Sequence, residues 1–564
     1  MAGGESFEVQ ILRQGRWMTE SARDRQDEAR QLAQKFLSDK KCEGARVVAS
    51  KVGRDGLISE KVIFEQSQTG GGDGPARINP IDSCPPRCLQ TRDYFGLESR
   101  MTINRILRTY LEDNFLTPTE LLHVFKEIQR VWDKDNLVPS AADRIASLQT
   151  KIGGPQTANE RREEIYASLD QIQARAREAA KSKLPDIGQR FSDTLNALGR
   201  GQDGEAEYRA MVALARELVG LRNWMGKLDR LTELAAAETD AESILLLDTV
   251  IADVLGANVV QELLGWQPSL GSAIISLLDL GDGKFDHTKS EAKGVAERLV
   301  RLFAQNKLPG SRHVLVDRAL RHLRSSNPLS RNDPKRELEE YQRVLLRLLV
   351  PGGIISGAEA AEALTLRGTR FVEQGGATGK RAAIQATVKA LPDRAHGVMY
   401  LSELTKTDFA KDHQADIIKQ LDIVFGARVI GELCRRTLSP KERLINATGA
   451  FNAALASALP DLIKRKVADH IDDVLERYLI DENIIEKLDD PKAHLRDRAI
   501  RLVKFCGAGV LPQGKALNRA RMRVIKLLRQ PSFDSHFIEG IADKTQAEKA
   551  LRDFHHLLIE AGFG

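Results

Sequence analysis

Residues 66–96 read QSQTGGGDGPARINPIDSCPPRCLQTRDYFG. Gly70, Gly71, Gly72 and Gly74 leave the backbone loose, and Pro75, Pro80, Pro85 and Pro86 remove donors and block helix. No regular element fits, so 66–98 is predicted as a flexible tether. What precedes it reads as strand and helix, and nearly everything after it reads as helix.

On the N-terminal side, Phe7, Val9 and Ile11 alternate with Glu8 and Gln10, the period of a strand with one buried face. Gly15-Arg16-Trp17 reads as a turn. Thr19 to Leu37 carries a helical pattern with Ala22, Ala29, Leu32, Ala33 and Phe36 on one side. Val47 and Val48 open a second strand, Asp55-Gly56 is a hairpin signal, and Val62 and Phe64 continue the pairing. Residues 1–65 are thus expected to form a small β-α-β-β docking module. Its core is thin, so it needs a surface of this chain or of a partner to rest on.

On the other side, residues 99–239 are predicted as a helical region with a coiled-coil-like bundle. Thr117-Pro118-Thr119-Glu120 has the form of a capping box. Ile165, Leu169, Ile172, Ala176 and Ala179 step alternately by four and three, as do Met211, Leu214, Leu218, Leu221, Met225 and Leu228. Residues 240–564 read as a C-terminal helical array. Asp333-Pro334-Lys335, Ser439-Pro440-Lys441 and Asp490-Pro491-Lys492 share the form cap, Pro, Lys, each with Leu three positions on. They read as three helix starts, or as a degenerate solenoid-like repeat. The fold class expected is mainly α, with the small module tethered to bundle and array.

With 564 residues, several cores are required. Aromatic residues are only 5%, which favours helix over sheet. Five cysteines are too few and too scattered for a disulfide framework. The most apolar stretch, Ile244 to Trp266, carries Asp248, Asp253 and Glu262, which argues against membrane insertion. The N-terminus shows no apolar signal region, and a cytoplasmic protein is expected.

Catalytic and cofactor patterns fail on inspection. Gly375 to Arg381 lacks the first glycine of a phosphate loop, and Arg381 stands where Ser or Thr would hold magnesium. Asp279 to Asp286 puts glycines at calcium-ligand positions. Cys84 and Cys88 have no second pair for zinc. Glu120-x-x-His123 has di-metal spacing but needs a matching pair from another helix. No cofactor or metal is expected, and no enzymatic activity.

The charge distribution stands out. Lys466 to Asp490 is mainly acidic, and Lys492 to Arg529 reverses the sign. On a helix from 515 to 529, Lys515, Arg519, Arg523 and Lys526 share one face, and Met522, Ile525 and Leu528 are expected to face the core. Such a stripe suits an acidic protein partner, or phosphates of nucleic acid, or simply neutralises the acidic block beside it. The expectation is a non-enzymatic intracellular scaffold or adaptor acting through protein–protein contacts, with nucleic-acid association as the alternative.

Overall fold

The computed structural model describes residues 5–13, 16–38, 44–52, 58–67, 78–85, 87–134, 136–151, 156–201, 205–331, 333–372 and 376–563. Among them are 28 α-helices and one sheet of more than two strands, a mainly α fold with an N-terminal β module. The chain divides into two compact units, Met1–His322 with Ser326–Glu337, and Leu323–Ser325 with Leu338–Gly564.

The module has one strand more than the alternation suggests. Strand β1 (Glu5–Arg13) pairs antiparallel with β2 (Arg16–Arg23), which occupies what reads as the start of a helix. The helix α1 begins only at Gln26 and runs to Ser38. Strands β3 (Gly44–Val52) and β4 (Ile58–Ser67) complete an antiparallel sheet of order β2-β1-β3-β4. The expected hairpin turn, Asp55-Gly56, lies outside the described residues. β2 is an edge strand, paired within the sheet to β1, so it needs no apolar alternation, and its exposed Glu20 and Arg23 discourage pairing with another chain. Its Thr19 hydroxyl donates across the pair to Glu8 at 3.1 Å.

α1 lies on one sheet face. Val9, Ile11 and Val47 bury themselves against Ala29, Ala33 and Leu37, and the small alanines let helix and sheet approach. Each fully buried Val or Ile there contributes about 1.5–3 kcal/mol. The other face is polar and is anchored to the helical part of the same unit. Arg46 is buried, accepts nothing, and donates to Gln10 Oε1 at 2.7 Å and to Asp82 at 3.4 Å. Arg144 also reaches Asp82, at 3.7 Å, and its Nε donates to the Ile81 carbonyl at 2.9 Å. The module therefore docks on its own chain. Of the proline-rich stretch, 68–77 and Pro86 lie outside the described residues. Its later part is packed: Ile81 joins a core with Ile106, Leu111 and Val138, and Thr91–Phe95 forms a 3₁₀ turn.

In the helical part of this unit, polar groups are buried in pairs. Thr117 caps the helix Pro118–His123 through the expected box, with Glu120 accepting from the Thr117 amide at 2.7 Å. The same Glu120 pairs with Lys227, and both are fully buried. Arg100 pairs with Asp253, and the Thr119 amide and hydroxyl donate to Asp253 at 2.8 and 2.6 Å. Asp248 accepts from the Gly310 and Ser311 amides at 2.6 and 2.9 Å, which caps the helix beginning at Pro309. Both aspartates of the most apolar stretch are thus consumed by neighbouring helices. No helix among the described residues is long and apolar enough to cross a membrane.

Two periodic readings change in the structure. Ile165, Ile172, Ala176 and Ala179 are buried along one helix, Ala158–Lys181. The second seam is split between Ala206–Gly220 and Trp224–Ala237, with Leu221 between them. Asn223 accepts from the Gly226 amide and starts the second helix. Of the three cap-Pro-Lys segments, only Ser439 starts an α-helix, Pro440–Leu455. Asp333 precedes a 3₁₀ turn, and Asp490 accepts from the Lys492 amide at 3.0 Å in a turn before the helix Leu495–Gly507. A carboxylate two residues before an amide closes a turn as readily as it opens a helix.

Candidate functional site

The basic stripe lies in the second unit, on the helix Lys515–Leu528. This helix packs beside Asp461–Asp481, and the contact explains how it starts. Its first amides, of Lys515 and Ala516, donate to Asp472 of the neighbouring helix at 2.5 and 3.1 Å. Gly514 allows this borrowed cap, because a Cβ there would stand 2.2 Å from the Asp472 carboxylate. An anion at the first turn also suits the helix dipole.

Lys515, Arg519, Arg523 and Lys526 all line one open groove of about 940 Å³, together with Arg529, Met522 and Ile525. Glu476, Glu486 and Ile485 form its other side. Three of the four predicted cations are engaged by carboxylates of their own fold. Lys515 pairs with Asp473 at 2.5 Å and Arg519 with Glu476 at 3.3 Å. Arg523 pairs with Asp489, which is 1% exposed and is held from its other side by Arg498 at 2.7 Å. The hydrogen bond that Lys515 donates to Asp473 holds its ammonium above its ordinary pKa. Lys526 and Arg529 are exposed and make no ion pair with the described residues.

The apolar face of this helix is not the expected one. Leu517, Ala520, Val524 and Leu527 are buried, Ile525 and Leu528 are half-buried, and Met522 is 62% exposed on the groove. The buried face is turned by about a residue from the line through Met522, Ile525 and Leu528, because Ala516 and Ala520 take core positions beside Leu517, Val524 and Leu527. The groove's acidic wall, Glu476 and Glu486, comes from the block that the sequence marks as acidic. Within that block Asp469, Asp472, Asp473 and Glu476 recur at the spacing of one helix face.

The other candidate constellations serve structure. Glu120 caps and pairs as described, while His123 Nδ1 lies 2.7 Å from the Thr119 carbonyl and its ring packs on Phe95 and Tyr208. Burial lowers the His123 pKa to about 4. Arg381, at the expected helix start, pairs with Asp416 at 2.7 Å. Asp282 accepts from Arg312 at 2.8 Å, and Asp286 caps the turn at Thr288. His470 bonds the Ala427 carbonyl at 2.8 Å. Cys84 and Cys88 are both free thiols, and burial raises the Cys84 pKa. Among the described residues no group of three or more His, Cys, Asp or Glu is arranged to hold a metal ion.

Compared with family models, with curated proteins and with solved structures, the chain matches none.

Proposed function

We propose that this protein works by binding another protein, and that the 515–529 groove takes an acidic, partly apolar segment of that partner. The observation that carries the reading is the presence of exposed Lys526 and Arg529, which make no ion pair with the described residues, beside an exposed Met522 in the same groove. Free cations at a rim steer and select an acidic segment, and an accessible thioether adapts to apolar side chains. The groove has the room of a peptide segment rather than of a single ion.

Nucleic acid is the weaker reading. Lys515, Arg519 and Arg523 are answered by Asp473, Glu476 and Asp489, so little counterion release remains for a phosphate backbone to gain. Among the described residues no aromatic side chain lines the groove to stack a base. A scaffold or adaptor role for the helical body accords with the same surface.

The test is affinity capture by the tagged full-length chain from its own cell lysate, with and without nuclease, beside the double variant Lys526→Glu, Arg529→Glu. The proposal expects a protein that survives nuclease and is lost by the variant. A catch that vanishes with nuclease points to nucleic acid instead, and undiminished capture by the variant removes the groove from the contact. Reversing Arg523 is a poor test, because it would set two carboxylates against each other at a buried site.

A further inference from the structure

Within the first unit, helices Leu97–Ile106, Pro118–His123, Phe125–Trp132, Leu137–Lys151 and Ala158–Lys181 line a partly open cavity of about 150 Å³. Cys84, Pro85, Cys88 and Tyr94 of the proline-rich stretch line one side of it. The wall is overwhelmingly apolar, made by side chains such as Ile103, Leu121, Val131, Ala142 and Leu169. Apolar voids of about this size stay dry and take up benzene or xenon. Left empty, such a void removes packing contacts from every side chain around it.

The polar groups of the wall are almost all committed. Ser99 Oγ donates to the Asp93 carbonyl at 2.8 Å, and Thr102 Oγ1 to the Glu98 carbonyl at 2.9 Å. Arg161 is buried; its Nε donates to Gln149 at 2.7 Å and its Nη1 to Glu164 at 2.8 Å. Gln149 in turn donates to the Pro85 carbonyl at 3.2 Å. Tyr94 is the exception. Its hydroxyl oxygen is shut off from solvent and has no hydrogen-bond partner among the described residues. The side chains of Ser168 and Arg161 approach it as hydrogen-bonding groups, and neither closes a bond of normal geometry with it. A buried hydroxyl left unpaired is costly. One molecule could relieve both the void and the unpaired hydroxyl.

We propose that this cavity binds a small neutral molecule, with an apolar body of about six to ten carbons and one oxygen that meets the Tyr94 hydroxyl. Neutrality follows from the charges already present. Arg161 is answered by Glu164, so an incoming carboxylate would gain no free cation and would face Glu164. The apolar wall sets the body of the ligand and Tyr94 sets its polar end. This site is independent of the groove in the second unit.

The experiment is calorimetric titration of the full-length protein with 1-octanol and with benzene. Two variants are titrated beside it: Ala142→Phe, which fills the cavity, and Tyr94→Phe, which keeps its shape and removes the hydroxyl. The proposal expects saturable uptake of 1-octanol near one equivalent, weakened at least tenfold in Ala142→Phe. In Tyr94→Phe, 1-octanol should weaken about fivefold, the worth of one hydrogen bond, with benzene unchanged. No saturable uptake by the native chain overturns the proposal, as does undiminished binding by a folded Ala142→Phe. If Ala142→Phe fails to fold, Tyr94→Phe decides: equal weakening of both probes, or of neither, overturns the assignment of Tyr94 to the polar end.

Discussion

Two regions of this molecule spend charge in opposite ways. Around the helix Pro118–His123, Glu120, Lys227, Arg100 and Asp253 are buried and pair with one another. Along the 515–529 groove, Lys515, Arg519 and Arg523 pair with Asp473, Glu476 and Asp489 beside solvent. In the first region burial dominates: it raises the pKa of Glu120 and Asp253 and lowers that of Lys227, against the pull of their partners. In the groove the partner dominates, and Asp473 raises Lys515. Desolvation favours the neutral form of a group, and proximity of an opposite charge favours the ionised form. The buried set is therefore committed to the fold, whereas charges near water can be exchanged for those of a partner.

The sharpest way to break this contrast is to remove one buried partner. Lys227→Met leaves Glu120 uncompensated and should cost about 3–5 kcal/mol in denaturant unfolding, with much of it recovered when Glu120→Gln is added. Should the single variant cost less than about 1 kcal/mol, the buried pair is not a commitment of the fold.

The next effect is in pH. The unfolded His123 takes its proton near pH 6.5, the buried one only near about 4. Between these values the unfolded state binds more protons, so stability falls as the pH drops through that window, by about 3 kcal/mol in all. His322 is also buried, with its pKa lowered well below the ordinary histidine value, and adds in the same direction. The raised carboxylates slope the other way, so the measurement is a difference: His123→Phe should lose this part of the native pH profile whatever its absolute stability. Parallel profiles between pH 6.5 and 4 would contradict the burial of His123.

Smaller still is Arg523→Ala. It takes one of two partners from the nearly buried Asp489, leaves Arg498, and should cost about 1–2 kcal/mol. Arg519→Ala, on a half-exposed pair, should shift stability by less than about 1 kcal/mol. Reversing that order in a urea series would mean the groove's exposed pairs are not the weaker ones. At the foot of the scale, the Lys526→Glu, Arg529→Glu variant should melt with the native protein, since neither side chain makes an ion pair with the described residues.

Much of the architecture was legible in the chain. Val9 and Ile11 announce a strand by alternation, Thr117 and Glu120 announce a helix start, and the four-and-three stepping from Ile165 to Ala179 marks one buried face. β2 was not legible, because an edge strand of Arg, Glu and Ser has no period and is specified by β1 beside it. Asp333 and Asp490 misled because a carboxylate beside proline suits a turn as well as a helix. In the groove, the spacing of Lys515, Arg519, Arg523 and Lys526 placed them on one face. Which of them stay free depends on an acidic helix more than thirty residues earlier in the chain.

By itself, then, the sequence determined what repeats locally: helix and strand periods, the caps, and the basic face of 515–529. Those follow from backbone geometry and side-chain spacing over a few residues. Tertiary structure decided where each charge would stand. It buried Glu120 against Lys227, and it borrowed Asp472 to start the basic helix. It left Lys526 and Arg529 without an ion pair among the described residues, and it set Tyr94 in the wall of an apolar cavity. The physical reason is that a charge is spent or kept according to its distance from water and from its partner, and helices remote in sequence set both.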